Sequence, residues 1–320
     1  MITLDPIVTV VRASYKIEAL RHSVSRGAMP PRRLSDGELS RWLADRIYRD
    51  FHSGSDFQME HPAKDEMYDP QFSRRIVAAT PTADIWVPTQ TPPTPVAGGY
   101  VAMINGLRVR MPDSRVRGGQ PGSEKSAIRL PPLRPHLSPG YLYYSRSPNL
   151  IHRAEWRVYV SVADLDSAVE QWAVVLNAAR EVTTGQYHAK VASTVALYPR
   201  RDAIVVYFNH TSLDKLQAFA DRVTAGTVAE TSRLAHTLSP GVSCAHEPRI
   251  DTAVAAGASF GQHRSTVLAR LLVDGASLTE PDFGELAGRR LMEANIDPHA
   301  LYLNSASTST STSTSTSEAT

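Results

Sequence analysis

The chain has 320 residues, and its 34 basic and 32 acidic side chains leave a net charge of +2. Hydrophobic residues make up 42% of the chain, enough for a buried core, and the scattered positive charge argues against a nucleic-acid binder. The single cysteine, Cys244, excludes a disulfide framework and a multi-cysteine zinc site. No apolar run approaches the ~20 residues of a membrane helix, and the first residues do not resemble a signal peptide. We therefore expect a cytoplasmic protein with no membrane partner.

Helical spacing of apolar residues occurs twice near the start of the chain, in residues 8–25 and 39–53. Residues 53–98 are typical of a loop that ends in a proline-rich connector. Asn105-Gly106 then separates two runs that contain apolar residues, which predicts a β-hairpin. Residues 112–148 are rich in proline and glycine and predict irregular structure.

The second half of the chain is denser in regular elements. Alternating residues predict strands at 156–162, 186–192 and 203–208. Apolar residues at helical spacing predict helices at 164–182, 213–223, 264–273 and 282–295. Because strands and helices mix without a regular βαβ rhythm, the predicted fold class is α+β, with a mixed, mostly antiparallel sheet flanked by helices.

These patterns divide the chain into three predicted parts. Residues 1–148 form a helical and irregular N-terminal region with a hairpin, a candidate for binding a peptide or a partner protein. Residues 149–304 form the domain that carries the chemistry. In residues 305–320 serine and threonine alternate with no apolar group to offset the entropy of ordering, so this tail is predicted to be disordered. An inert tail is the simplest interpretation; a linker remnant and a phosphorylation target are the alternatives.

The period of a β-strand decides which side chains of the second half can act together. In the strand 156–162, Arg157 and Tyr159 point away from the apolar set, and in the strand 186–192 His188 and Lys190 share one side. If the two strands are neighbours, these four side chains form one patch.

Lys190 is the central residue of this patch. Only five of the 34 basic residues are lysines, so a lysine within an apolar strand calls for an explanation. Partial burial beside arginine should lower its pKa and make it a general base. A lysine that protects a sheet edge from aggregation is the alternative.

Further arginines could complete an anion site around Lys190. Arg200 and Arg201 precede the third predicted strand, and Arg264 lies near the start of a predicted helix, after Gly261. Arginine binds phosphate with two parallel hydrogen bonds, so phosphate is the expected anion. Each of these arginines taken alone is also typical of a solvated surface.

Other chemistries find no support in the sequence. No phosphate-binding or dinucleotide-binding glycine motif is present, and no histidine or carboxylate cluster indicates a metal, so we expect neither a metal nor a cofactor. Cys244 lies two residues before His246 and could be a nucleophile, or it could simply pack in the core.

Four ordered motifs resemble the Hop-A-type effector family, over roughly residues 140–275. They are Arg157-Val158-Tyr159-Val160-Ser161, Tyr187-His188-Ala189-Lys190-Val191, Tyr198-Pro199-Arg200-Arg201-Asp202-Ala203, and the stretch from Gly241 to Glu247-Pro248 followed by Ser259-Phe260-Gly261-Gln262-His263-Arg264. The family is named for a plant-pathogen type III effector and includes lyases of class V lanthipeptide and thioamitide biosynthesis.

The resemblance implies chemistry like that of the phosphothreonine lyases of enteric pathogens. Lys190 matches the base, and Arg157, Arg200 or Arg201, and Arg264 match the phosphate-binding arginines. Tyr159 stands where those lyases have a histidine acid, which makes His188 the rival for that role.

The implied reaction is β-elimination of phosphate from phosphoserine or phosphothreonine in a precursor peptide, which leaves dehydroalanine or dehydrobutyrine. It needs no cofactor, and because the chain has no phosphate-donor motif, a separate kinase-like protein must supply the phosphorylated peptide. A non-catalytic module that binds phosphopeptides or proteins through the same patch is the alternative function.

Overall fold

The structure is a computed structural model. It describes residues 3–18, 23–26, 32–54, 69–81, 84–89, 91–104, 106–118, 126–138, 140–145, 154–183, 187–209, 211–223, 227–249 and 258–305. The predicted disordered tail lies outside this range apart from Ser305.

Seven α-helices lie within the described ranges. They are α1 (Pro6–Ser14), α2 (Asp36–Ile47), α3 (Pro70–Ala79), α4 (Leu165–Val182), α5 (Leu213–Val223), α6 (Phe260–Asp274) and α7 (Glu280–Glu293), and a π-helical segment, Tyr48–Ser53, continues α2. Several begin at side-chain caps: Asp164 accepts a hydrogen bond from the Ser167 amide, and Ser259 forms a capping box with Gln262. No helix in the described part of the chain is long and apolar enough to cross a membrane.

The strands pair antiparallel wherever the structure describes a pairing. They are β1 (Lys16–Glu18), β2 (Ser23–Ser25), β3 (Arg32–Arg33), β4 (Ile85–Pro88), β5 (Thr94–Val96), β6 (Gly99–Ile104), β7 (Leu107–Met111), β8 (Val116–Arg117), β9 (Ala127–Leu130), β10 (Leu133–Ser138), β11 (Tyr141–Ser145), β12 (Trp156–Val162), β13 (Tyr187–Ala192), β14 (Arg200–Phe208), β15 (His236–Ser239), β16 (Val242–His246), β17 (Ile296–Asp297) and β18 (Ala300–Asn304). The α+β fold class is confirmed.

The largest sheet has seven strands in the order β10-β11-β13-β14-β12-β16-β15. Its central strand, β14, lies between β12 and β13, the two strands that carry the predicted patch. These two strands are therefore not direct neighbours.

One face of this sheet is apolar and carries helices α4 and α5. Trp172 of α4 is fully buried and its ring contacts that of Tyr144 in β11, while Phe219 of α5 contacts Phe208 of β14. Val158 and Val206, which point the same way, have no exposed surface. Alternation within each strand thus assigns the apolar residues to the helix-covered face and leaves the intervening residues to the opposite face.

The chain divides into two compact units. The first comprises residues 1–44 and 248–320, and the second comprises residues 45–247. The first unit holds α1, the β1–β3 sheet, α6, α7 and the β17–β18 hairpin, whereas the seven-stranded sheet and helices α3, α4 and α5 belong to the second.

The N-terminal half departs from the sequence-based expectations in four places. The first predicted helix is shorter, because α1 ends at Ser14 and β1 follows it. The predicted loop 53–98 contains α3 and two strands, and the predicted irregular segment 112–148 contains four strands. Strands β10 and β11 precede the boundary predicted near residue 148 but belong to the seven-stranded sheet, so this sheet crosses that boundary.

Candidate functional site

The face of the seven-stranded sheet opposite α4 and α5 carries four of the predicted site residues. Arg157 of β12 and His188 of β13 both lie opposite Tyr207 of the intervening strand β14. In the next row, Tyr159 and Lys190 both lie opposite Val205. The predicted patch therefore exists, but it is one strand wider than expected: its two halves are about 10 Å apart, or two interstrand spacings.

Lys190 lies among aromatic side chains. Its ammonium nitrogen is 4.3 Å from the ring centroid of Tyr141, within the range of a cation–π interaction. Tyr143 lies opposite Lys190 across the β11–β13 ladder and stacks on His188, with 5.8 Å between ring centroids. Lys190 is partly exposed, and no carboxylate of the described residues forms an ion pair with it.

The expected fall in the pKa of Lys190 is wrong for this structure. Burial is the largest single influence and would lower that pKa, but the pKa is raised above its usual value of 10.5, chiefly through Tyr207 and Tyr141. The carboxylate of Asp202 acts in the same direction, against the opposing charge of Arg157. Lys190 is therefore an ammonium ion at neutral pH in the free protein.

Arg157 is held by Glu247, which follows the end of β16. Its Nε and Nη2 atoms donate to the two carboxylate oxygens of Glu247, a bidentate pair. The guanidinium carbon also lies 5.1 Å from the ring centroid of Tyr207. Arg157 is thus well placed on the polar face, but a carboxylate already neutralises it.

Arg200 and Arg201 are also paired with carboxylates. Arg200 donates from Nε and Nη2 to the two oxygens of Asp202, at 2.7 and 3.0 Å, and Nη2 also donates to the Tyr48 hydroxyl. Arg201 pairs with Glu230 and donates to the backbone carbonyl of Asp50. Arg200 and Lys190 have the ring of Tyr141 as a common neighbour, which lies 6.0 Å from the Arg200 guanidinium carbon and 4.3 Å from the Lys190 nitrogen.

The two candidates for the general acid, Tyr159 and His188, are both buried. Tyr159 is 2% exposed and His188 is 4% exposed. The ring of His52, from the π-helical segment, packs edge-on against Tyr159 at 4.9 Å between centroids. Burial raises the pKa of Tyr159 well above its usual value, so this phenol keeps its proton.

His52 belongs to a buried polar cluster at the edge of the site. Its Nδ1 atom lies 2.7 Å from the Ser232 hydroxyl, and its Nε2 atom lies 3.6 Å from Asp202. Burial lowers the pKa of His52 to about 4, against the opposing charge of Asp202, so the ring is neutral at physiological pH. Tyr48 completes the cluster by donating to Asp202.

Arg264, in the first unit, does not have the environment of a phosphate-binding residue. It is 0% exposed, and its guanidinium donates to the carbonyls of Leu301 and Leu303 and to the side chain of Asn304. These contacts tie α6 to β18. Because Arg264 has no exposed surface and donates to β18, its role in phosphate binding stays a prediction that rests on the family resemblance.

Cys244 packs in the core. It has no exposed surface and points to the same side of β16 as His246, whose ring lies against Trp156. Burial raises the pKa of the thiol to about 12. Since only the thiolate is an effective nucleophile, Cys244 is a core residue rather than a nucleophile.

Sequence reasoning missed several residues of this face. Tyr207, Tyr141, Asp202 and Glu247 all contact or influence the predicted site residues. The alternation of Tyr141 and Tyr143 in β11, and of Val205 and Tyr207 in β14, could have placed the tyrosines on one face. Across the described residues, no group of three or more His, Cys, Asp or Glu is arranged to hold a metal ion.

The fold and this face define an α+β protein with a sheet surface that carries several arginines and tyrosines around one lysine. Residues 133–303, more than half of the chain, match the HopA1 effector protein family, and the chain belongs to that family. No curated protein matches.

Two solved structures are similar over most of the chain. One is the effector protein from Pseudomonas syringae pv. syringae strain 61, with 15% identity, a TM-score of 0.44, and coverage of 84% of this chain and 97% of the other. The second is the effector protein from Pseudomonas syringae pv. tomato strain DC3000, with 12% identity, a TM-score of 0.43, and coverage of 84% and 96%.

Proposed function

We propose that this protein is a phospho-Ser/Thr lyase. It would eliminate phosphate from phosphoserine or phosphothreonine of a ribosomal precursor peptide and leave dehydroalanine or dehydrobutyrine, in lanthipeptide-type natural-product biosynthesis. One observation carries the proposal: Lys190 lies among tyrosines on the polar sheet face, the same face that carries Arg157 across β14, and no carboxylate of the described residues pairs with it.

The reaction requires a base at Cα and stabilisation of the leaving phosphate. In its neutral form the Lys190 amine takes the Cα proton, the C–H electrons form the Cα=Cβ bond, and the Cβ–O bond breaks toward phosphate. Arg157 and Arg200 stabilise the phosphate, after exchanging part of their contact with Glu247 and Asp202 for the new anion. Because Lys190 is protonated in the free protein, only the small neutral fraction is active at pH 7.

The substrate must be phosphorylated before it reaches this site. The sequence carries no nucleotide-binding glycine motif, so the proposal includes a separate kinase-like protein as a partner. The precursor peptide is the second proposed partner, and no cofactor takes part.

A second candidate function is a phosphopeptide-binding or protein-binding module without catalysis. The specific observation in its favour is that Arg157, Arg200 and Arg201 are each paired with a carboxylate. A charged Lys190 in such a setting suits anion binding better than proton abstraction.

The experiment that separates the two candidates uses a phosphoserine peptide and its phosphothreonine counterpart. The lyase predicts, by mass spectrometry, a product that has lost phosphoric acid. A peptide that binds, by fluorescence anisotropy, and stays intact after prolonged incubation identifies the binding module instead. Lys215→Ala is the matched control for Lys190→Ala, since Lys215 is an exposed lysine on α5.

A further inference from the structure

The lyase proposed above needs a proton donor for the leaving phosphate, and this inference rests on that proposed function. The oxygen that bridges Cβ and phosphorus takes up negative charge as its bond to carbon breaks, and a positioned acid accelerates such a step by roughly 10²–10⁴-fold. Tyr159 and His188 are 2% and 4% exposed. Since the ring of His52 also packs on Tyr159, neither side chain offers its polar atoms to a peptide at the surface of the sheet.

Tyr207 occupies the position between these two residues. It lies on the central strand β14, directly opposite Arg157 on one side and His188 on the other. Tyr207 is partly exposed, and its hydroxyl makes no hydrogen bond to any residue that the structure describes. A partly exposed phenol with an unused donor can reach a bound phosphate.

We propose that Tyr207 is the general acid, and that its phenolic proton goes to the bridging oxygen of the leaving phosphate. The guanidinium of Arg157 lies 5.1 Å from its ring centroid and would stabilise the phenolate that forms. Lys190 lies diagonally across the β13–β14 ladder, about 7–8 Å away between Cα atoms. Base, acid and phosphate-binding arginine thus lie on three adjacent strands of one sheet face.

The proton and electron balance of the step is complete within this set. The Lys190 amine gains the Cα proton, the C–H electron pair becomes the new C=C bond, and the Cβ–O pair leaves on phosphate. The bridging oxygen gains the Tyr207 proton, which leaves a phenolate beside the Lys190 ammonium ion and Arg157. After phosphate departs, transfer of a proton from the ammonium ion to the phenolate restores both residues, and no other reactant is needed.

The electrostatics of the free protein support this placement. Among its neighbours, Tyr207 has the largest effect on the pKa of Lys190, and it also has the largest effect of any neighbour on the pKa of Arg157. The phenol oxygen therefore lies within electrostatic reach of both cations.

The test compares the wild-type protein with Tyr207→Phe on two peptides of identical sequence. One carries phosphoserine and the other carries 3-chloroalanine, whose chloride leaves without protonation. We expect Tyr207→Phe to reduce kcat/KM for phosphate elimination by at least 100-fold and to change chloride elimination less than about threefold. Tyr100→Phe, at a partly exposed tyrosine of β6 outside the seven-stranded sheet, is the matched control and should leave both reactions unchanged.

Two results would overturn the assignment. One is phosphate elimination by Tyr207→Phe at the wild-type rate, and the other is an equal loss with both peptides, which would make Tyr207 a structural or positioning residue. If the wild-type protein eliminates neither group, the proposed function fails as a whole, and that outcome differs from a failure of Tyr207 alone.

Discussion

The two faces of the seven-stranded sheet have the same backbone and opposite characters. On one face Val158, Val206 and Phe208 are fully buried beneath α4 and α5. On the other face, the residues one position along are Arg157 and Tyr207, which lie opposite each other across the β12–β14 ladder. Adjacent residues of one strand therefore face opposite sides of the sheet. One side packs in the core and stabilises the fold, and the other carries the groups available for chemistry.

The energetic consequences of the two faces should differ accordingly. Buried apolar side chains stabilise the fold, and truncating one of them lowers the free energy of unfolding. The charged face contains three arginine–carboxylate pairs, and for the two that are mostly buried, Arg157–Glu247 and Arg200–Asp202, the cost of desolvation offsets much of the attraction between the charges. Substitutions on the helix-covered face should therefore reduce stability, and those on the polar face should reduce activity.

Lys190→Ala should cause the largest loss of activity of these substitutions, with little loss of stability. We expect elimination to fall by roughly 10²–10⁴-fold, because the base is lost, while the free energy of unfolding changes by about 1 kcal/mol or less. Rates by mass spectrometry and urea unfolding of the same preparations check both parts. Wild-type turnover by Lys190→Ala would remove the base from the proposal, and Lys215→Ala should behave as wild type.

Trp172→Ala tests the apolar face. The side chain is fully buried in α4, and its Nε1 atom donates to the Thr80 hydroxyl at 2.8 Å. We expect the free energy of unfolding to fall by about 3–5 kcal/mol in urea titrations. Val174→Ala on the same helix, at a side chain that is 41% exposed, should cost about 0.5 kcal/mol or less. Equal losses in the two variants would contradict the assignment of the faces.

The pH dependence of elimination should reflect the raised pKa of Lys190. A base must lose its proton to act, and below its pKa the neutral fraction grows about tenfold per pH unit. We therefore expect kcat/KM to rise about 100-fold between pH 7 and pH 9, with no plateau in that interval. A plateau that begins near pH 7 would indicate a base with a much lower pKa, such as a histidine.

Glu247→Gln gives the smallest expected effect and probes the arginine–carboxylate pairs. Removing this negative charge leaves the guanidinium of Arg157 available to phosphate, so we expect KM for a phosphopeptide to fall by about tenfold, roughly 1.4 kcal/mol. Steady-state kinetics measure it, and Glu181→Gln, at an exposed pair with Arg222, is the control. An unchanged or higher KM would show that Arg157 does not bind the substrate.

Local patterns predicted the second half of the fold well. Helix α5 spans Leu213–Val223, the range that apolar spacing predicts, and β12 spans Trp156–Val162, as alternation predicts. Strands β9 and β11 were missed, and each has a distant partner as well as a nearby one. Strand β9 pairs with β4, about 40 residues earlier, besides β8, and β11 pairs with β13 across an intervening helix, besides β10. Such long-range pairing leaves no periodic trace in a proline-rich segment.

The candidate site was predictable only in part, for the same reason. Alternation assigns Arg157 and Tyr159 to one side of their strand, and His188 and Lys190 to one side of theirs. It does not show that β14 lies between the two strands, nor that Glu247, 90 residues from Arg157, pairs with it. The predicted fall in the pKa of Lys190 is wrong for the same reason, because the tyrosines that raise this pKa come from the neighbouring strands β11 and β14.

Elimination at the polar face is tested most directly with a phosphoserine peptide deuterated at Cα. The proposed chemistry predicts a dehydroalanine product that has lost both its phosphate and its deuterium, formed by the wild-type protein and not by Lys190→Ala. A serine product that keeps the deuterium would show hydrolysis, and an unchanged peptide would show binding alone. Either result would contradict a lyase at Lys190.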